Sequence, residues 1–144
     1  MKVAGTKRLV LDASVTLAWF VTEESTAYSE GVFNLLLNGA QALAPAIWLF
    51  EVANALLVAE RRKRVTVAQV TAVLQRIAEL PITLEQVRLD RAFGEILSVA
   101  RQQQLTEYDA AYLELALREG LPLATLDQGL QRAAQHAGVA LVAI

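Results

Sequence analysis

Leu9-Val10-Leu11-Asp12 opens the first readable element of the chain, and Leu123-Ala124-Thr125-Leu126-Asp127 repeats its form near the other end. Each is a short, largely apolar run that leads into an aspartate. Such runs, without polar alternation, read as strands buried on both faces of a sheet. Working outward, Ala42-Leu43-Ala44 before Pro45 and Ile82-Thr83-Leu84 after Pro81 read the same way, and residues 140–144 read as a fifth strand. Helical signals fill the gaps. Residues 14–20 form a short helix, and Ser25 caps a second that stops at Asn38-Gly39. Residues 47–62 make a long helix, and Thr66 caps another that reaches Glu79. Residues 90–104 are helical, Thr106 starts a helix that ends at Gly120, and a last helix runs to His136 before Gly138. Short buried strands alternating with helices predict an α/β fold, with a parallel sheet between two helical layers and right-handed crossovers.

Composition narrows the function. The 144 residues show no repeat, linker or low-complexity segment, so one domain over 1–144 is expected. The chain is 55% hydrophobic and 19% charged, enough apolar material for a full core. It has no cysteine, which excludes disulfides, thiolate metal sites and a cysteine nucleophile. One histidine, His136, argues against a Ser-His-Asp triad or a histidine-rich metal site. A net charge of −2 is not that of a generic nucleic-acid binder. Mean hydropathy is high at +0.38, yet the most apolar stretch, 42–59, contains Pro45, Glu51 and Asn54. Polar groups of that kind are costly in lipid. Residues 1–8 lack the apolar core of a signal peptide. A cytoplasmic protein without a membrane span is expected, its excess apolar surface serving a dense core or an oligomer interface.

The acidic residues carry the chemistry. The aspartates are Asp12, Asp90, Asp109 and Asp127. In a parallel sheet, Asp12 and Asp127 both fall at the carboxyl edge. If strands one to three wind to one side and four and five to the other, strands one and four are neighbours. Ligands bind at such a reversal point. Crossover helices begin at that same edge, which brings in Glu51 and Asp109. Asp12 and Asp127 also suit helix N-caps, and Asp109 stands at capping-box spacing from Thr106. Glu51 is harder to assign to structure: between Pro45 and Ala59 only it and Asn54 carry charged or amide side chains. Clustered carboxylates raise one another's pKa, and a divalent cation relieves that conflict. Hard oxygen donors without His or Cys suit Mg²⁺ or Mn²⁺, and such sites take phosphate oxygens as further ligands. Ser14 and Thr125 place hydroxyls two residues from Asp12 and Asp127 to orient them.

Four segments together resemble the PIN-domain ribonucleases, most closely the VapC-type toxins of toxin–antitoxin pairs. They are Val10-Leu11-Asp12-Ala13-Ser14-Val15 with Trp19-Phe20, Pro45 through Leu56, Leu105 through Tyr112, and Leu121 through Asp127. The resemblance implies a five-stranded parallel sheet in the order 3-2-1-4-5. It implies a metal-dependent endoribonuclease and a cognate VapB-type antitoxin. By position, Asp12, Glu51, Asp109 and Asp127 match the family's acidic quartet, and Ser14, Asn54, Thr106 and Thr125 match supporting positions. Asp12, Asp109 and Asp127 are the expected ligands of one or two Mg²⁺ or Mn²⁺ ions. Glu51 would ligate through water or act as base toward an attacking water, leaving a 5′-phosphate. Homodimerisation is expected, with DNA contacted only through the antitoxin. The leader before strand one is longer than is usual in the family.

Other readings compete. A haloacid-dehalogenase-type phosphotransferase wants a second acid at position 14, where this chain has serine, and a late lysine, whereas none follows Lys63. A receiver domain fails on the same lysine. A catalytically silent PIN-type interaction module remains as the alternative. The basic run Arg61-Arg62-Lys63-Arg64 reads as a cationic helix end or an RNA-facing rim. Trp19, Phe20, Phe33 and Trp48 read as core or interface, Tyr108 and Tyr112 as packing. The helical stretches 27–37 and 52–58 offer a groove for an antitoxin helix.

Overall fold

Leu9, Val10 and Leu11 all have zero exposure, so the first apolar run is covered on both faces, the environment of a central parallel strand. In the computed structural model, which describes residues 6–21 and 26–144, they lie in β1 (Arg8–Leu11). β1 pairs in parallel with β2 (Gln41–Pro45) and with β4 (Leu123–Ala124). β2 in turn pairs with β3 (Ile82–Glu85), giving the order β3-β2-β1-β4. The register sets Val10 between Leu43 and Leu123. The winding therefore reverses between β1 and β4, as the sequence pattern predicts.

The fifth strand is shorter than expected. Residues 140–144 pair with β4 through one parallel bridge, Leu123 to Leu141. It is closed by Leu123 N–H donating to Ala140 O and Val142 N–H donating to Leu123 O, both at 2.9 Å. β4 has only two residues, so it offers its outer neighbour no longer ladder. The segment lies where the order 3-2-1-4-5 requires, but the sheet itself has four strands.

The helices are α1 (Ala13–Phe20), α2 (Ala27–Leu37), α3 (Ile47–Arg61) and α4 (Val67–Ala78). α5 (Leu89–Arg91) passes through a π-helical segment, Ala92–Ile96, into α6 (Leu97–Gln103). α7 (Glu107–Glu119) and α8 (Gln128–His136) complete the set. Ser25, the expected cap of α2, lies outside the described residues. Thr26 caps that helix in a reciprocal capping box with Ser29. Thr66 does the same with Gln69 on α4.

α7 is the internal helix. Residues Ala110, Ala111, Tyr112, Leu113, Glu114, Leu115 and Ala116 are all buried, and the helix packs against β1, β2 and β4. A helix buried all round fixes its own rotation, because every face meets packed side chains. Its N-terminus is set by Thr106, whose hydroxyl accepts the Asp109 N–H at 3.1 Å. Its C-terminus is Gly120 at φ 65°, a left-handed cap that L-residues adopt at a cost. Among the described residues, no helix is long and apolar enough to cross a membrane.

Candidate active site

Asp12 follows β1 directly and is only 6% exposed. It occupies the N-cap position of α1, yet its side chain makes no capping hydrogen bond. The same is true of Asp127 before α8. The capping reading of both carboxylates is therefore corrected: their backbones cap and their side chains do not. The Asp12 carboxylate is instead held by two hydroxyls. Ser14 Oγ donates to Oδ2 at 2.6 Å and Thr125 Oγ1 donates to the same oxygen at 2.8 Å.

The direction of this network is forced. The Leu126 backbone N–H donates to Ser14 Oγ and the Asp127 N–H donates to Thr125 Oγ1, each at 3.0 Å. A backbone N–H can only donate, so each hydroxyl accepts on the loop side and turns its own proton toward Asp12. Two chain segments over a hundred residues apart are thus tied by one carboxylate. Burial pushes the Asp12 pKa above its ordinary value, the two hydroxyls pull it back in part, and the Asp127 charge raises it further. The network favours the ionised form that burial disfavours.

Glu51 enters from the second turn of α3. Its Oε1 accepts the Tyr112 hydroxyl at 2.5 Å. Tyr112 has zero exposure, so this proton has no water to compete for it. Burial raises the Glu51 pKa, Tyr112 lowers it, and the charges of Asp12 and Asp109 raise it again. The sequence reads Tyr112 as packing; its bond to Glu51 is the site contact that reading misses. A tyrosine in an apolar helix gives no signal of a partner sixty-one positions away.

Asp109 lies in the first turn of α7. Its spacing from Thr106 suggests a reciprocal capping box, but only the Thr106 half forms. Among the described residues nothing donates to the Asp109 carboxylate. Its pKa is raised by burial first, then by the charges of Asp12 and Asp127. The four acids therefore share one electrostatic neighbourhood. Asn54 is exposed on α3 with no hydrogen-bond partner among the described residues. Thr106 acts through backbone capping, which places Asp109. Asp90 lies apart from the cluster, where Arg88 holds it at 2.8 Å. The basic run 61–64 is exposed at the end of α3.

The donor set is all oxygen and anionic, which fits a hard divalent cation. Among the described residues, no three His, Cys, Asp or Glu side chains stand close enough to hold an ion by themselves. That spacing suits Mg²⁺, which takes one or two carboxylates and keeps several waters. The repulsion also yields a stability prediction. Asp109→Asn removes a charge that loses no hydrogen bond, so the metal-free protein should gain about 1 kcal/mol at neutral pH. A carboxylate whose folded pKa is raised destabilises the fold above that pKa and not below its unfolded value of about 3.9. The gain should shrink as pH falls through the raised pKa of Asp109 and vanish near the unfolded value, as measured by thermal melts in chelator.

Known proteins share this fold. Residues 9–135 match the family model of the PIN domain. Over 124 residues the chain is 31% identical to ribonuclease VapC3 of Pyrobaculum aerophilum, covering 85% of this chain and 92% of that protein. The crystal structure of PAE2754 from the same organism superposes with a TM-score of 0.65 at 27% identity, over 89% of this chain and 79% of that one. VapBC2 from Rickettsia felis, solved bound to a DNA fragment from its promoter, has a TM-score of 0.65 at 14% identity, with 94% and 97% coverage. VapC20 of Mycobacterium tuberculosis, described as a sarcin–ricin loop cleaving toxin, scores 0.65 at 13% identity, with 94% and 99% coverage. The last two likenesses speak to the fold alone. With the family model spanning most of its length and a ribonuclease relative aligned along it, this chain belongs to the PIN domain family.

Proposed function

We propose that the chain is a metal-dependent endoribonuclease, the toxin of a toxin–antitoxin pair, acting in the cytoplasm. The observation that carries this reading is the buried Asp12 carboxylate, gripped by Ser14 and Thr125 beside three further acids. A chain that needed only a scaffold would have no use for a repelling acid cluster at its topological reversal point. The relative named as a ribonuclease supplies the substrate class. The likeness to VapBC2, solved as a complex on its promoter DNA, supports a VapB-type antitoxin as the partner; contact with DNA only through that antitoxin belongs to the proposal. Homodimerisation is part of the same proposal.

Asp12, Asp109 and Asp127 would hold one or two Mg²⁺ or Mn²⁺ ions, with water making up the ligands that the spaced carboxylates do not supply. When bound, the metal supplies Lewis-acid activation of water and charge neutralisation at phosphorus. The protein supplies the rest. Ser14 and Thr125 lock Asp12 in one orientation. Tyr112 holds one Glu51 oxygen, leaving the other to accept a proton from the attacking water. Asn54, exposed one helical turn from Glu51, is placed to meet substrate. A water nucleophile yields 5′-phosphate and 3′-hydroxyl ends.

Two measurements test this reading. Mn²⁺ or Mg²⁺ should raise the melting midpoint of the wild type, since a ligand bound only by the folded state stabilises it, and should leave Asp12→Asn unmoved. An equal shift in both proteins would place the metal elsewhere. Tyr112→Phe should cost about tenfold or more in cleavage rate with little change in KM, the range found for residues that orient a site group. A rate within twofold of wild type would show that the Tyr112 bond does not serve catalysis.

A further inference from the structure

A cavity of about 360 Å³ opens between the end of α6 and the outer face of α8. Its lining includes Gln103, Gln104, Gly129, Arg132 and His136. It adjoins the acid cluster through Gly129. A Cβ built there would sit 3.9 Å from Arg132 Nη2 and 3.9 Å from both Asp127 carboxylate oxygens. The Arg132 guanidinium and the Asp127 carboxylate thus both flank Gly129, which puts a cation beside one of the four acids. Among the described residues, Arg132 makes no ion pair and no hydrogen bond. Arg91 and Arg118, by contrast, are both engaged by Glu114. The lining also lacks an acid, and its two amides can donate to phosphate oxygens or to base edges.

Resting on the ribonuclease reading above, we infer that this cavity is a nucleotide subsite, which takes the phosphate one step along the RNA strand from the scissile bond. Arg132 grips that phosphate through its guanidinium fork. His136, one turn further along α8, lies on the same wall. The amides of Gln103 and Gln104 line the opposite wall and meet the attached nucleoside.

The test is binding of a 5′-labelled single-stranded RNA, followed by fluorescence anisotropy against salt. The Asp109→Asn chain serves as the uncleaving background, and cleavage by the otherwise wild-type chain is run beside it. Arg132→Gln should weaken binding about tenfold and lower the slope of log affinity against log salt by about 0.7. In the active chain it should raise KM while kcat stays within twofold. Arg8→Gln, an equal charge change at the amino end of β1 and so at the sheet edge opposite the acids, should do neither. If wild type cleaves RNA but Arg132→Gln and Arg8→Gln behave alike, the subsite is overturned and the ribonuclease reading stands. If no RNA is bound or cut by any of these chains, both fall together. Arg132 is exposed, so its replacement leaves the fold intact, and equal melting curves check that.

Discussion

Asp12→Asn should lower RNA cleavage by about a thousandfold, equivalent to ~4 kcal/mol of lost transition-state stabilisation. The side chain keeps its volume and loses its charge. Asp12 is the acid most deeply placed, with two hydroxyls donating to a single oxygen. Those donors orient the carboxylate, and they also anchor the β4–α8 loop that carries Asp127 by accepting the Leu126 and Asp127 N–H groups. Initial rates on a labelled RNA, with melting curves to show the variant folded, would measure this. A variant that retains a tenth of the rate or more would remove Asp12 from the chemistry.

Glu114→Ala should cost stability instead, by about 3 kcal/mol. Glu114 is 5% exposed on the inner helix α7. Its Oε2 accepts from Arg91 Nη1 at 2.8 Å and from Arg118 Nε at 3.1 Å. Arg118 also forks onto both oxygens of Glu85 at the end of β3, and Glu85 and Glu114 together hold its pKa above the ordinary arginine value. Removing Glu114 leaves two half-buried guanidinium groups without their shared partner and loosens α7 from α5. For a chain of this size the melting midpoint should fall by about 10 °C. A fall below 2 °C would show that water replaces the carboxylate at no cost. Cleavage well below the new midpoint should persist, since Glu114 does not touch the acid cluster.

These two sites differ in how far the sequence discloses them. β1, β2 and β4 are legible because a strand buried on both faces needs a short apolar run, and an aspartate or a proline bounds each of these. Asp12 and Asp127 are legible as the acids at the ends of such runs, and Glu51 as the one charge between Pro45 and Ala59. The parallel topology then brings them to one edge. The fifth strand is misjudged in extent because an apolar tail reads the same whether paired or merely packed, and a two-residue β4 leaves it only one bridge. Side-chain capping by Asp12 and Asp127 fails for a tertiary reason. Hydroxyls from two segments claim the Asp12 carboxylate: local spacing discloses Ser14, two residues on, but not the reach of Thr125 from the end of β4. The Tyr112–Glu51 bond and the Arg91–Glu114–Arg118–Glu85 network are illegible for the same reason. The π-helical turn at Ala92–Ile96 departs from the 3.6-residue period on which helix reading depends.

The most direct test of the account is cleavage of a labelled structured RNA pool by the purified protein in Mg²⁺, Mn²⁺ or EDTA, beside Asp109→Asn. The account predicts cutting that requires metal, leaves 5′-phosphate ends and disappears in the variant even though the variant melts higher without metal. Cutting that survives EDTA, or that Asp109→Asn performs at the wild-type rate, would contradict it. So would a folded, metal-binding wild type that cuts nothing, which would leave a PIN module devoted to protein contacts.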